Sequence, residues 1–351
     1  MTFIRTVVKK SRLASCLFLY VIKAVKPEMY NYYLDEVMKF YPNQEENNYR
    51  LILLEVFRNA VLYGVLPEEY FFFRFEELSD KGKRSYISDR DRNILLAKIN
   101  SREDWEIFFN KGKTYDVYHK YYGREVRVIS SLADKETFID FVRFNNVFVV
   151  KPIESSRGKG VKLVCLDGQD VESLLYSLVS EYSGGFVLEE AIRQHSIMSS
   201  LNESSVNTVR CPTIITNGEV HIFYPILRIG RKGSFVDNGS AGGILASIDP
   251  DSGIVFTEGK DEKGNSYIKH PDSGMVIPGF VLPDWDGMLA KVRELAKVLP
   301  STRYVGWDMA YTEKGWIVVE GNNYGQFSVL QIPLGKGIKK DIEEIIYDKK
   351  Y

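Results

Sequence analysis

The stretch from 303 to 324, RYVGWDMAYTEKGWIVVEGNNY, constrains this chain most, because two β-rich runs flanking a turn signal fold most simply as an antiparallel hairpin. Glu313, Lys314 and Gly315 read as a three-residue loop, with glycine where the backbone needs positive φ. Such a loop pairs Thr312 with Trp316 and, counting back, Asp308 with Glu320. Opposed residues project to the same side of an antiparallel pair and side chains alternate along each strand, so Asn322 joins Asp308 and Glu320 on one face. Val305 and Val319 then belong to the other face. Two opposed carboxylates between apolar strands repel unless a cation lies between them. A donor set made only of oxygens suits a hard cation that keeps several waters and finishes its shell with phosphate oxygens, whereas a softer metal would require His or Cys. The expectation is a magnesium site, with manganese as a substitute, at Asp308, Glu320 and Asn322; the bland alternative is a hairpin whose acids face water.

The remaining composition narrows the partners. With 351 residues, 44% hydrophobic and 26% charged, the chain can bury a large core and divide into two or three lobes of a soluble protein. Lys plus Arg number 46 against 47 Asp plus Glu, a net charge of -1, so no global field favours nucleic acid. Anions must be bound by local basic sites. Cys16, Cys165 and Cys211 are odd in number and far apart, which fits a reducing, cytoplasmic setting and neither a disulfide framework nor a zinc site. Near the start, Lys9, Lys10 and Arg12 precede the apolar run LASCLFLYVI. The apolar residues follow Cys16 instead of preceding it, which is the wrong order for a lipoprotein signal, and Lys23 ends the run before it could span a bilayer. The run reads as a helix packing on the core, and its basic, apolar character leaves peripheral membrane association open.

From residue 1 to about 100 the pattern is helical and rich in aromatics, with LILLEVFRNAVLYG closed by Gly64 and the run YFFFRF too aromatic for a surface loop. After Trp105 short β-rich runs alternate with helical ones, so the class is mixed α+β. NVFVVKPI, GVKLVCL and GFVLEEAI read as strands, and a helix runs from about Asp170 to Tyr182. Residues 205–231 read as two long strands joined by Asn217-Gly218, and a second hairpin turns through Asp249-Pro250-Asp251-Ser252-Gly253. DWDGMLAKVRELAKVL forms a helix leading into the metal hairpin, and Lys339 to Tyr347 forms another. The expected divisions are 1–100, 101–187 and 188–351.

Three segments before the hairpin have the chemistry of anion binding. Lys151 stands near the end of a strand, and ESSRGKGV follows it with small residues and glycines before the next strand. Backbone N–H groups of Ser155, Ser156, Gly158 and Gly160 can point at phosphate oxygens while Lys151 supplies a point charge. The string is no P-loop, because GxxxxGK[ST] is absent and a strand follows. Glu189 and Glu190 end the strand GFVLEEAI, where exposed backbone groups can read an adenine edge and a carboxylate can hold an amino group or ribose. Asn207, Arg210, Arg228, Arg231 and Asn238 lie in SVNTVRCPT and LRIGRKGSFVDNGSAGG, where guanidinium forks beside Gly242 and Gly243 suit phosphate or a tetrahedral intermediate.

The ordered set of lysine, strand lysine with Gly-rich loop, acidic hinge, arginines and Asp…Glu-x-Asn resembles the ATP-grasp superfamily. It looks closest to the sugar-transfer-associated ATP-grasp proteins of bacterial polysaccharide biosynthesis, through QHSIMSSLNESSVNTVRCPT, LRIGRKGSFVDNGSAGG and GWDMAYTEKGWIVVEGNN, over residues from about Lys111 to Gln326. The resemblance implies two α+β subdomains clamping ATP, preceded here by the helical aromatic-rich region. It implies ATP and Mg²⁺ as cofactors, with Lys151 a phosphate ligand and Lys111 in NKGKTYDVY the first nucleotide lysine, for which Lys113 competes. Ser155, Ser156, Arg157, Gly158, Lys159 and Gly160 would cover the triphosphate, and Glu189, Glu190, Ala191 and Ile192 would form the adenine hinge. Asp308, Glu320 and Asn322 would hold the metal. Two departures stand out. D-Alanine-type ligases carry an arginine two residues before the metal aspartate, where this chain has Gly306, so transition-state charge falls to Arg210, Arg228 or Arg231, with Asn238 beside them. The ribose carboxylate past the hinge is replaced by Arg193, Gln194, His195 and Ser196, which leaves His195 as either a ribose or substrate ligand or a scaffold residue.

The implied reaction is activation of a carboxylate as an acyl phosphate and its capture by an amine or other nucleophile, the partners being small molecules from polysaccharide or sugar-conjugate synthesis. No Ser-His-Asp or Cys-His pattern points to a protein nucleophile. A kinase on the same scaffold, acting on a hydroxyl, and a nucleotide-binding scaffold without turnover are the alternatives.

Overall fold

The computed structural model describes residues 11–155, 158–234, 237 and 242–347, the Arg12 side chain excepted. The chain divides into two compact units, one formed by Met1–Lys98, Lys260–Ser266 and Gln326–Tyr351 and the other by Ile99–Gly259 and Tyr267–Gly325.

The first unit is helical. Helix α1 (Arg12–Val25) starts at Ser11, whose hydroxyl accepts the Ala14 N–H at 3.3 Å. Pro27 opens α2 (Pro27–Phe40), and Gly64 ends α3 (Glu46–Tyr63) in the left-handed conformation at φ 78°, as the sequence leads one to expect. In the aromatic run Tyr70, Phe71, Phe73 and Phe75 are buried. Phe71 stacks on Phe40 at 4.4 Å between centroids and Phe73 on Tyr86 at 4.5 Å, a geometry that adds to simple area burial. After α4 (Pro67–Phe72) come α5 (Asp80–Ser85) and α6 (Asp89–Ile99). The helices Ser328–Leu334 and Lys339–Tyr347 return to this unit, where fully buried Gln331 bonds both the N–H and the C=O of Ile87 at 2.9 Å.

The second unit holds two antiparallel sheets. After α7 (Trp105–Phe109) and α8 (Lys111–Tyr118), the strands β1 (Val126–Ile129), β2 (Val147–Pro152), β3 (Lys162–Cys165) and β4 (Phe186–Glu190) form a sheet in the order β1-β4-β2-β3. Its back is covered by α9 (Lys135–Phe144) and α10 (Val171–Glu181), with Phe138, Phe141, Phe148, Val150, Leu175, Leu178, Phe186 and Leu188 forming the core between them. Strand alternation leaves Val147, Val149 and Lys151 pointing the other way.

The larger sheet is built on β5 (Thr208–Thr216). One edge of β5 pairs with the long strand β11, and the other with β6 (Glu219–Ile222) and then β7 (Ile226–Ile229). The second long strand expected after Asn217-Gly218 is therefore interrupted. Tyr224 adopts φ 44° and Pro225 has no N–H to donate, and these break the run while keeping both pieces on the same edge. β8 (Ile244–Ser247) follows on β7, and Gly253 at φ 70° turns the chain back after it. Two short strands, β9 (Gly259–Lys260) and β10 (Ser266–Tyr267), come next, then α12 (Trp285–Val298) after the four-residue helix α11 (Ser196–Ser199) earlier in the chain. β11 (Tyr304–Thr312) and β12 (Gly315–Asn322) complete the sheet as its hairpin.

The hairpin pairs differently from the sequence count. Its loop has two residues, Glu313 and Lys314, so Thr312 opposes Gly315 and Tyr311 opposes Trp316. A β-bulge between Asp308 and Met309 then inserts Val319, which brings Glu320 back opposite Asp308. The two carboxylates are paired as expected, by a shorter turn and an extra residue. Val319 consequently faces the cavity with Glu320 and does not lie on the far side.

Candidate active site

A cavity of 870 Å³ lies between the two sheets of the second unit. Phe144, Val147, Val149, Leu163, Ala191 and Ile192 line one part of it; Lys111, Lys151, Glu189, Arg228, Asp308 and Glu320 line another. A smaller cavity of 220 Å³ shares Lys111, Lys151, Ser155, Glu189 and Glu320 and adds Asn322. An apolar slot beside convergent charges is the form of a site for a ligand with a flat apolar end and an anionic end.

Lys111 begins α8 because Asn110 caps that helix, accepting the Lys113 N–H at 3.1 Å. Its ammonium donates to the carbonyl and the hydroxyl of Ser155, both at 3.0 Å, and so ties the helix to the start of the glycine-rich loop. Burial holds its pKa below the usual lysine value, against the pull of Glu320. Lys113 points outward to Glu106 and is half exposed, so of the two lysines Lys111 is the one in the cavity. Gly158 lines the cavity; Lys159 and Gly160 are not among its lining residues, and Gly160 instead passes close to Pro152 at φ 73°. Ser156, Arg157 and Asn238 lie outside the described residues.

Lys151 reaches the Glu189 carboxylate at 2.9 Å. Glu189 is also gripped by Arg124, whose Nε and Nη2 donate to one oxygen at 3.0 and 2.7 Å. Burial opposes ionisation of Glu189, but Lys151 and Arg124 outweigh it and hold the carboxyl at about 2. Glu189 is thus an internal counter-ion, and the strand end beyond it, Glu190 to Ile192, is what borders the apolar slot. Arg124, which sequence reasoning did not single out, is itself buried and donates further to the carbonyls of Tyr122, Val318 and Val319.

The arginines divide sharply. Arg210 on β5 stands opposite Asp308 on β11 and grips both of its oxygens, Nη2 to Oδ2 at 2.9 Å. Arg228 on β7 adds a bond of 2.7 Å to Oδ2 and holds Asp237 at 2.9 Å with its other arm. Burial disfavours the Asp308 anion, yet these two guanidinium groups prevail and hold it at about 2. Asp237, buried with one such partner, is pushed up instead. The Arg210 side chain fills the space above Gly306: a Cβ there would stand 3.1 Å from its Cδ. A cation from the neighbouring strand therefore occupies the region left by the missing arginine at 306. Arg231 turns away, bonding Asp272 at 2.7 and 3.2 Å, and does not line the cavity. His195 also stays outside it. Its ring caps α11 by accepting the Ile197 N–H at 3.1 Å and packs 5.2 Å from the Tyr311 ring. Asn207 is wholly buried and donates to Gln194, Met198 and Asn202, so it braces the segment 193–206 that forms one cavity wall.

The donor set fits a hard cation completed by ligand oxygens. Among the described residues no group of three or more His, Cys, Asp and Glu side chains could hold a metal alone. Asp308 and Glu320 offer carboxylates and Asn322 an amide oxygen, from adjacent positions of one hairpin. Glu320 is accessible from the cavity, yet the protein around it and then the Asp308 charge push its carboxyl above the usual range, a tension that a cation would relieve. Three guanidinium N–H groups occupy Asp308, which leaves about one of its four lone-pair directions for a metal.

No curated protein matches the chain. Among solved structures it is similar to D-alanyl-alanine synthetase A from Vibrio cholerae, at 12% identity over 69% of this chain and 65% of that one, TM-score 0.44. It is also similar to an L-amino acid ligase from Bacillus licheniformis, at 16% identity over 67% of this chain and 48% of that one, TM-score 0.38. A third is a RiPP-associated ATP-grasp ligase from Chryseobacterium gregarium, at 15% identity, 79% and 72% coverage and TM-score 0.42. The chain thus spans between about half and two thirds of the length of the first two. The profile of the family described as sugar-transfer associated ATP-grasp matches residues 90–346, most of the chain, and by that match the protein belongs to the sugar-transfer-associated ATP-grasp family.

Proposed function

We propose that the protein is an ATP- and magnesium-dependent ligase that joins a carboxylate to an amine or other nucleophile through an acyl phosphate, in the synthesis of a polysaccharide or sugar conjugate. The observation that carries this reading is the cavity itself, an apolar slot on one side and Lys111, Lys151 and Arg228 facing Asp308 and Glu320 on the other. In it the backbone from Glu190 to Ile192 would meet the adenine edge. Lys151 from a strand and Lys111 from a helix start would place positive charge at the phosphates. Magnesium held by Asp308, Glu320 and Asn322 would neutralise charge on the phosphate oxygens.

The γ-phosphoryl group passes to a carboxylate oxygen of the first substrate and ADP is the leaving group. The nucleophile then attacks that carbonyl carbon, losing its proton as inorganic phosphate departs. Arg228, which lines the cavity and is fixed by two carboxylates, is the side chain best supported as a donor to the oxyanion that develops in this step. Arg210, locked on Asp308 above Gly306, positions the metal ligand.

The test is ATP consumption with Mg²⁺ across amino acids, amino sugars and uronic sugars, with mass spectrometry of each reaction. An adduct lighter by one water than its two substrates, with ADP and free phosphate, supports ligation. A phosphorylated hydroxyl would make the protein a kinase, and nucleotide binding without turnover would make it a scaffold.

A further inference from the structure

We propose that α1 is a membrane-docking helix that lies in the headgroup region of an anionic lipid bilayer, with its outward face in the acyl boundary. The proposal is independent of the cavity and of the reaction. α1, RLASCLFLYVIKAV, is apolar around most of its circumference. Its inner side packs: Ser15 and Ile22 are buried, and the Phe18 ring lies 5.9 Å from that of Phe57. Its outer side is bare. Leu13, Leu17, Tyr20 and Val25 are 80%, 66%, 71% and 70% exposed, and Val21 is 44% exposed. Leu13, Leu17, Tyr20, Val21 and Ala24 follow the three- and four-residue spacing of a single helical stripe. A continuous stripe of this kind in water marks an interaction site, unlike scattered single apolar residues.

Charge identifies the occupant. Residues 1–27 contain Arg5, Lys9, Lys10, Arg12, Lys23 and Lys26 and no Asp or Glu, in a chain whose net charge is only -1. Lys23 is exposed at one edge of the stripe and Lys26 follows the helix end. A basic segment with an apolar face matches the surface of a bilayer containing acidic lipids, where cations meet headgroups and the apolar stripe replaces water with acyl chains. A second copy of the chain would present the same cations in a symmetric pair, so like charges would face one another. The 14 residues of the described helix fall short of the roughly 20 that a bilayer core requires, so the helix is read as lying on the bilayer. Among the described residues no helix is long and apolar enough to cross a membrane.

The experiment uses the full chain with Cys165 replaced by Ser, so that exposed Cys16 on the outer side of α1 carries a polarity-sensitive fluorophore; Cys211 is buried. Phosphatidylcholine vesicles with and without phosphatidylglycerol are titrated in, and binding is followed by co-sedimentation and by emission. The expected result is salt-sensitive binding to the phosphatidylglycerol vesicles with a blue shift of the label. A Leu17→Glu, Val21→Glu variant and, separately, a Lys23→Glu, Lys26→Glu variant should each weaken it at least about tenfold while leaving the far-UV circular dichroism and the thermal midpoint of the protein unchanged. Equal affinity for both vesicle types, no blue shift, or unchanged binding by the apolar-face variant would overturn the proposal. So would a dimer in analytical ultracentrifugation that Leu17→Glu dissociates while vesicle binding is absent.

Discussion

Asp308 has three N–H donors on its two oxygens, from Arg210 and Arg228, and its pairing partner Glu320 has a single amide donor from Asn322 at 3.2 Å. The two acids of the site are therefore unequal: one is held as an anion by the protein and the other is left for a ligand to satisfy. Replacing Glu320 by Gln removes that negative oxygen with little change in shape. Turnover should fall at least about 100-fold while the thermal midpoint stays within a degree or two, because a metal ligand contributes several kcal/mol to charge stabilisation in the transition state. Arg124 is the opposite case. It is buried against Glu189 and lies outside the lysine, aspartate and glutamate pattern of the site. Arg124→Met should destabilise the protein by about 3–5 kcal/mol in urea unfolding, since it strips a partner from a buried carboxylate. In the sequence Arg124 is one charge in an ordinary strand approach, and nothing local announces a partner at Glu189; Asp237 is equally silent. What motif and resemblance do single out are Lys111, Lys151 and Arg228, which line one cavity, and Arg210, which bonds Asp308 at its wall.

At the scale of elements, the hairpin shows why the Asp308–Glu320 pairing was legible although its cause was not. Gly315 at φ 92° marks the turn, but residue types do not separate a two-residue from a three-residue loop here, and Val319 carries no sign that it is the bulged residue. The break between β6 and β7 was signalled by Pro225, which strand-rich neighbours masked. Close approach explains Gly230, the residue after β7: a Cβ would fall 1.9 Å from the Ser205 hydroxyl and 3.1 Å from the Asn202 amide, in the knot bracing segment 193–206. Gly230→Ala should cost about 1–3 kcal/mol by overpacking and raise KM for ATP as the cavity wall shifts, measured by steady-state kinetics beside thermal melting. In the helical unit, Glu69 on α4 is buried and accepts the N–H groups of Leu66 and Asp89, both at 2.8 Å. Burial pushes its carboxyl from 4.5 up to about 8, so the folded state holds the proton more tightly than the unfolded one. Its contribution to stability is complete below about pH 4.5 and is lost as pH rises through about 8. The melting temperature should fall over that interval, and Glu69→Gln, which cannot ionise, should flatten the fall.

For the molecule as a whole, Lys151 from one sheet, Lys111 from a helix start, and Arg228, Asp308 and Glu320 from the other sheet meet at a shared cavity within one unit. Helix and strand texture made the α+β class and the helical start readable, because periodicity reflects which faces are buried. The return of residues 326–347 to the helical unit was not readable, since it rests on long-range bonds such as Gln331 to Ile87. Family membership comes from the sequence profile, and the reaction remains the proposal built on the cavity. Isothermal titration of ATP against the wild type and Glu320→Gln, with and without Mg²⁺, tests that proposal most directly. The account predicts that Mg²⁺ tightens wild-type binding at least about tenfold and that Glu320→Gln loses this gain while still binding nucleotide without metal. Equal Mg²⁺ dependence in both proteins would contradict the metal assignment, and absence of ATP binding by the folded wild type would contradict the site.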